Sequence, residues 1–257
     1  MKGTFTLLIL LPLFLCNCKQ RDEAKFREAE QAMDQALAEM KKAQRDEFEK
    51  TGTLNDQSPE ALDKMIAATK KAEEAATGDD AKILKVTRLF QIQAQKDMTT
   101  LTQAAEYLEV ASDYSTIKTK EHIDQKIASA KKYQEINNAI TKKIKTEWRK
   151  QIVENIDAQN VSKKSKNNFL DGFDSGMAPK RRLLMGIRKN DDQLCEGLIG
   201  QLKVLKDQFG KWSWNAEDEV PDFESDAAID AFNEHVETVQ NVAAKQAELQ
   251  EQLIKLP

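Results

Sequence analysis

The stretch ILKVTRLFQIQAQKDMTTLTQAAEYL (residues 83–108) contains the clearest repeating pattern in the chain. Its apolar residues recur every three or four positions, and most of the positions between them are polar. This spacing places the apolar side chains on one face of an α-helix and predicts a single amphipathic helix. The face consists of Ile83, Val86, Phe90, Ala94, Met98, Leu101, Ala105 and Leu108.

Similar stripes extend through most of the remaining chain. They predict helices at about residues 22–48, 59–76, 119–156, 165–173, 179–209 and 226–253. Ser225 is a predicted N-cap and Gly210 a predicted C-cap. A helix of 30 residues is about 45 Å long, and long helices with one apolar stripe each pack best side by side. The sequence therefore predicts an all-α fold, an elongated bundle of five or six helices.

The predicted helix at 119–156 carries a stripe that does not stay on one face. Its members are spaced by four residues, and each step of four advances about 40° beyond a full turn. We expect this helix to bend or to contact different neighbours along its length. The stripe consists of Ile136, Ile140, Ile144, Trp148, Ile152 and Ile156.

The segment NNFLDGFDSGMAPKRR (residues 167–182) is mixed: after the short helix at 165–173 we expect a Gly-rich break, and a new helix that starts at Pro179. Two basic clusters flank this predicted break and are expected to meet in space. An anionic lipid, a peptidoglycan phosphate or an acidic partner could bind there, and an ordinary solvated surface is the alternative. The candidate anion-binding residues are Lys163, Lys164, Lys166, Lys180, Arg181 and Arg182.

The segment KWSWNAEDEVPDF (residues 211–223) is the one piece with a period of two. It predicts a small hairpin or extended pair before the last helix, in which Pro221 restricts the strand to edge pairing. Two interpretations remain open: a flap that closes one end of the bundle, or an exposed element that binds a partner. The candidate partner-binding residues are Trp212, Trp214, Val220 and Phe223.

The N-terminal stretch LLILLPLFLCNCKQRDEAKF (residues 7–26) changes from apolar to charged within a few positions. The apolar run is far shorter than the roughly 20 residues of a spanning helix and is typical of a signal peptide. We predict a signal peptide at residues 1–18 and a helical-bundle domain at 19–257, in which the N-terminal helix (19–57) could move separately. An uncleaved N-terminal anchor is the alternative.

Two cleavage reactions fit this signal. A lipoprotein signal would be cut before Cys18 or Cys16, which would then carry the lipid that attaches the protein to a membrane. An ordinary signal peptidase would cut after Cys18 and release a soluble periplasmic or secreted protein. The residues before the two cysteines, Asn17 and Leu15, depart from the small residue that a lipoprotein signal usually has there.

Composition excludes several classes of protein. The formal charge of −4 becomes −5 when Lys2 is removed with the signal, and the charges of both signs are mixed, which disfavours nucleic-acid binding. Only Cys195 would remain beyond the signal, so no intramolecular disulfide is expected. The two histidines, His122 and His235, lack the spacing of a metal motif.

No arrangement of residues in the sequence indicates a reaction. Cys195 lies on an apolar stripe, where a buried thiol is expected. Asp191 and Asp192 interrupt the same stripe and indicate either a helix irregularity or a polar contact. Phosphate-binding glycine loops, catalytic triads and zinc spacings are missing. We therefore predict no enzymatic activity, no catalytic residue, no metal and no cofactor.

The C-terminal third resembles a known family. The alternating aromatics of WSW, followed by DFESDAAIDAFN at the start of a Gln- and Ala-rich helix, are similar to the DUF3053 lipoproteins of enterobacteria. The resemblance covers residues 210–250 and the layout of a helical body behind a lipoprotein-type signal. It implies a location in the bacterial envelope and a helical architecture, and it transfers no activity and no functional residue.

These observations lead to one expectation of function. We expect an exported, lipid-anchored protein on the periplasmic side of the bacterial cell envelope, held at the membrane by its N-terminal lipid, which binds another protein or component of the envelope. The alternative is an immunity-type lipoprotein that inhibits a toxic envelope enzyme, with the segment Trp212–Phe223 as the plug.

Overall fold

The computed structural model describes residues 23–51 and 59–256, and the predicted signal peptide with Cys16 and Cys18 lies outside them. The described chain forms a bundle of long helices with one short β-hairpin. Its elements are α1 (Glu23–Thr51), α2 (Pro59–Ala75), α3 (Gly78–Ser112), α4 (Lys120–Lys142), a π-helical turn (Lys143–Glu147), α5 (Trp148–Ala158), α6 (Lys163–Asp207), β1 (Trp212–Asn215), β2 (Val220–Phe223) and α7 (Asp226–Lys255). This architecture confirms the predicted all-α bundle and the hairpin before its last helix.

Local signals set several helix ends. The Ser225 hydroxyl accepts a hydrogen bond from the Ala228 amide at 3.2 Å and caps α7, as predicted. The C-cap of α6 is Gln208 and not the predicted Gly210, which lies two residues farther on and adopts a left-handed φ of +86° that costs glycine little. Ser162 caps the start of α6 by accepting from the Ser165 amide at 3.3 Å.

Each helix packs mainly against the next one along the chain, so the bundle is a series of antiparallel neighbours. The largest core cluster has members in all seven described helices, and its aromatic part lies where α3, α5 and α6 meet. There the ring of Phe90 makes edge contacts with Trp148, at 5.5 Å between centroids, and with Phe173, at 5.7 Å. Such contacts contribute beyond the burial of the rings themselves.

The helix predicted at 119–156 is a single rod made of α4, the π-helical turn and α5. Every member of the drifting stripe from Ile140 to Ile156 is nevertheless buried. The π turn explains this, because its i→i+5 pairing puts more residues into one turn and brings residues spaced by four back to the same face.

The predicted break near Pro179 is wrong, because α6 runs without interruption for 45 residues. A proline inside a helix removes one hydrogen bond and costs about 3 kcal/mol. Burial of apolar side chains before and after Pro179 in the sequence outweighs that cost. These side chains belong to the main core cluster and are Phe173, Met177, Leu183 and Leu184. Tertiary contacts therefore keep the helix continuous through the proline.

The continuity of α6 also corrects the prediction that the two basic clusters meet. Lys164 and Lys180 lie on one helix, sixteen residues apart, which corresponds to about 24 Å along its axis. The clusters therefore form two separate surfaces.

Helices α6 and α7 approach each other closely at two glycines of α6. A Cβ atom added to Gly197 would lie 2.6 Å from Cγ2 of Val239, and one added to Gly200 would lie 2.5 Å from the His235 ring. Gly186 faces the flexible end of Leu249, at 3.0 Å. The close spacing of α6 and α7 therefore requires glycine, which has no side chain, at positions 197 and 200.

We expect Gly197→Ala to destabilise the protein by about 1–2 kcal/mol. The added methyl group overlaps the stiff, β-branched Val239, and this overpacking exceeds the roughly 1 kcal/mol that alanine contributes as the better helix former. Urea unfolding followed by circular dichroism measures the difference. Gly186→Ala is the matched control, and we expect it to be neutral or stabilising because Leu249 can move away. A Gly197→Ala variant as stable as the Gly186→Ala variant would contradict close packing at this site.

Different elements lie at the two ends of the bundle. At one end, here called the N-terminal end, Phe26 of α1 packs with Ala76 and Leu84, and the Ser162 amide donates to Asp79 at 3.1 Å. At the other, the hairpin end, β1 and β2 lie beyond the last turn of α6. Because α6 starts at the first end and stops at the second, about 67 Å separates them.

Candidate partner-binding surface

The hairpin has one face toward the bundle and one face toward solvent. β1 and β2 pair antiparallel, with Trp212 opposite Phe223 and Trp214 opposite Pro221. Because side chains alternate along a strand, these four residues share the face that lies on the bundle. The solvent face carries Ser213, Asn215, Val220 and Asp222.

Aromatic contacts hold the inner face in place. The Trp212 indole donates a hydrogen bond to the Leu205 carbonyl at 2.9 Å. Phe223 packs on Phe232 of α7 with 5.5 Å between ring centroids, and Trp214 lies 6.5 Å from Tyr114 by the same measure. Burial raises the pKa of the Tyr114 phenol, whose hydroxyl donates to the Gln201 side chain. The hairpin therefore has a fixed position on the end of the bundle.

The turn of the hairpin is also ordered by its own residues. The Asn215 side-chain oxygen accepts hydrogen bonds from the amides of Glu217, at 3.0 Å, and Asp218, at 3.2 Å. Glu219 adopts a φ of +55°, which costs a residue other than glycine about 1–2 kcal/mol. The turn thus presents its carboxylates in a defined arrangement.

The predicted partner-binding residues fall into two groups. Trp212, Trp214 and Phe223 are half-buried against the bundle, as a flap would be. Val220 is 44% exposed and points away from it. Ile229, in the first turns of α7, is a further large apolar side chain at this end and is 38% exposed.

Sequence reasoning missed the charge of this end, although the signal is visible in the chain. Residues 212–244 contain nine carboxylates and no Lys or Arg. All nine are exposed, and in the described part of the chain none of them forms an ion pair. The carboxylates are those of Glu217, Asp218, Glu219, Asp222, Glu224, Asp226, Asp230, Glu234 and Glu237. We call this surface, together with Val220 and Ile229, the acidic hairpin surface.

The predicted anion-binding residues occupy two other places. Lys163 and Lys164 are exposed at the N-terminal end, where Lys166 pairs with Asp157. Lys180 is buried farther along α6, beside an exposed Arg182 and a half-buried Arg181. Burial, together with the charge of Lys41, lowers the pKa of Lys180 to about 8.

The buried polar side chains of α6 form a network with α4 and α7. Arg188 and Asp191 are fully buried and make an ion pair at 3.0 Å. The Gln246 amide donates to Asp191 at 2.9 Å, and the Asn137 amide donates to Asp192 at 3.0 Å. Burial raises the pKa of Asp191 to about 7, against the lowering effect of Arg188. The network is a structural contact between three helices.

The remaining candidate reactive residues, Cys195 and the two histidines, lie in environments that suit a structural role. Burial raises the pKa of the Cys195 thiol, which is unfavourable for a nucleophile. The His122 ring lies within 3.2 Å of the Thr116 carbonyl at the start of α4, and His235 covers Gly200. In the described ranges no group of three His, Cys, Asp or Glu side chains is placed to hold a metal ion.

Grooves between the described helices include the following two. One of about 310 Å³ lies between α1 and α2 and is crossed by the ion pair of Lys64 and Glu39, at 2.9 Å. The other, of about 240 Å³, lies between α3 and α5 and is lined by Leu89, Phe90, Gln93, Gln151, Ile152, Glu154 and Asn155. Among the described helices none has the length and apolar character needed to span a bilayer.

Comparison with protein-family models, with curated proteins and with solved structures finds no match to this chain. The resemblance of residues 210–250 to the DUF3053 lipoproteins therefore stays a prediction.

Proposed function

We propose that this protein is an exported, lipid-anchored helical bundle of the bacterial cell envelope, which acts by binding another envelope component through its hairpin end. The N-terminal sequence supports export and lipidation at Cys18 or Cys16. The acidic hairpin surface supports binding as the activity.

The main observation behind the proposal is that the start of α1 and the hairpin lie at opposite ends of the bundle. Helix α1 starts at Glu23, five positions after Cys18, and it starts at the N-terminal end of the bundle. Five residues reach at most about 18 Å, so a lipid on Cys18 would hold this end close to the membrane. The hairpin would then stand about 67 Å farther out, given the length of α6.

This placement suits a protein that works by reaching a partner. A rod of packed helices keeps its binding surface at a fixed distance from the attached end, whereas a flexible linker would not. The hairpin itself is held by aromatic packing, so little conformational freedom is lost when a partner binds.

Intact-mass spectrometry of the protein from membranes of its own cells tests the anchoring. We expect a chain that begins at Cys18 or Cys16 and carries a diacylglyceryl group, with residues before that cysteine removed. We expect Cys18→Ser, combined with Cys16→Ser, to move the protein to the soluble fraction, and Cys195→Ser is the matched control that leaves it in the membrane. An unmodified chain that begins at Lys19 would contradict lipid anchoring, and a chain that retains residues 1–18 would contradict signal cleavage.

A further inference from the structure

We infer that the acidic hairpin surface binds a partner protein through a basic surface with an apolar recess for Val220. The inference rests on the proposed function, because it names the partner that the hairpin end would bind. It depends on two properties of the same surface: nine exposed carboxylates without ion pairs to described residues, and exposed apolar side chains among them.

The charge on this surface is unusual for the molecule. Elsewhere along the described bundle, acidic and basic residues are interspersed in the sequence, and some surface carboxylates pair with cations, as Glu73 does with Arg88 at 2.7 Å and Asp174 with Arg149 at 2.8 Å. Residues 212–244 contain no cation with which to make such pairs. A partner rich in Lys and Arg would remove the mutual repulsion of these carboxylates and would be drawn to them over a distance.

The apolar side chains distinguish a protein partner from a small cation. Val220 stands on the solvent face of β2, between the carboxylates of Glu219 and Asp222. An apolar side chain surrounded by charges of one sign is the arrangement of an interface with an apolar centre and a polar rim. A recess on the partner would bury Val220 while basic groups around it face the carboxylates.

Photo-crosslinking in the native cells tests the inference with the full-length chain. A photo-reactive phenylalanine replaces Val220, and the crosslinked peptides are identified by mass spectrometry. The test variant combines Glu217→Gln, Glu219→Gln and Asp222→Asn around that position. The matched control combines Glu28→Gln, Asp34→Asn and Asp46→Asn, which removes three exposed charges from α1.

We expect one main protein adduct, whose crosslinked region contains more Lys and Arg than Asp and Glu. Its yield should fall about five- to tenfold in the test variant and stay unchanged in the control, since three rim ion pairs would be lost. A main adduct with an unchanged yield, or with a neutral or acidic region, would overturn the inference and leave hairpin binding standing. Absence of any protein adduct from position 220, or adducts with lipid only, would overturn hairpin binding as well.

Discussion

Arg188→Leu is expected to destabilise the protein by about 3–5 kcal/mol near pH 8, the largest effect that we expect from a single substitution. Arg188 and Asp191 are both fully buried, and the guanidinium lies 3.0 Å from the carboxylate. Removing the cation leaves a buried carboxyl that must either stay charged without a partner or take up a proton, whereas the leucine itself fits an apolar core. Chemical unfolding followed by circular dichroism measures the loss, which is a large share of the roughly 5–15 kcal/mol that stabilises a typical domain.

The pH dependence of this loss identifies its cause. Burial already raises the pKa of Asp191 to about 7 in the folded protein, and removing Arg188 raises it further. The unfolded value is about 3.9, so between these values the folded state holds the extra proton, and the contribution of Asp191 to stability falls as pH rises. We therefore expect a smaller penalty at pH 5 than at pH 8, and Arg188→Leu with Asp191→Leu should recover most of it. A penalty that is equal at both pH values would contradict an uncompensated charge as the cause.

Trp148→Ala should cost about 3–5 kcal/mol, the second large effect. Trp148 is 1% exposed, it packs against Phe90, and its indole donates to the carboxylate of Asp97 at 3.0 Å. Asp97 is itself buried and also accepts from Lys143 at 2.6 Å. The substitution therefore opens a cavity and removes a hydrogen bond from a buried carboxylate. In thermal unfolding we expect a decrease in Tm of about 6–20 °C, at about 2–4 °C for each kcal/mol.

Trp148→Phe separates the two contributions. Phenylalanine keeps most of the buried ring but has no indole N–H, so we expect a loss of only about 1–3 kcal/mol. Phe26→Ala is a useful comparison, because Phe26 is equally buried but packs in the alanine-rich cluster at the N-terminal end. If Trp148→Phe were as damaging as Trp148→Ala, the hydrogen bond to Asp97 rather than the packing would dominate.

The features that the sequence predicted well are those with local causes. The stripe from Ile83 to Leu108 forms α3 because its periodicity lies within one segment. Ser225 caps α7 and Gly210 follows α6 because capping depends only on neighbouring residues. The alternation of Trp212 and Trp214 predicted the hairpin for the same reason.

The features that were wrong or missed depend on residues far apart in the chain. Pro179 predicts a break when only its own segment is considered, and the contacts that override it come from other helices, as in the packing of Phe173 on Phe90 of α3. Gly197 and Gly200 are required by Val239 and His235, which lie on another helix. The carboxylates of residues 212–244 could be counted in the sequence, but only the fold places them together at one end of the rod.

The order of packing has a consequence for how the chain folds. Because most helices lie against a neighbour in sequence, many native contacts can form within a helical hairpin before the whole bundle is complete, which favours early pairing of neighbouring helices. Under the export that we propose, a chain that crosses a membrane unfolded would benefit from this early pairing. Helix α1 lies at one end of the series and contacts mainly α2, so we expect its amides to exchange hydrogen first. Helix α6 packs against both α4 and α7, so we expect its amides to exchange last.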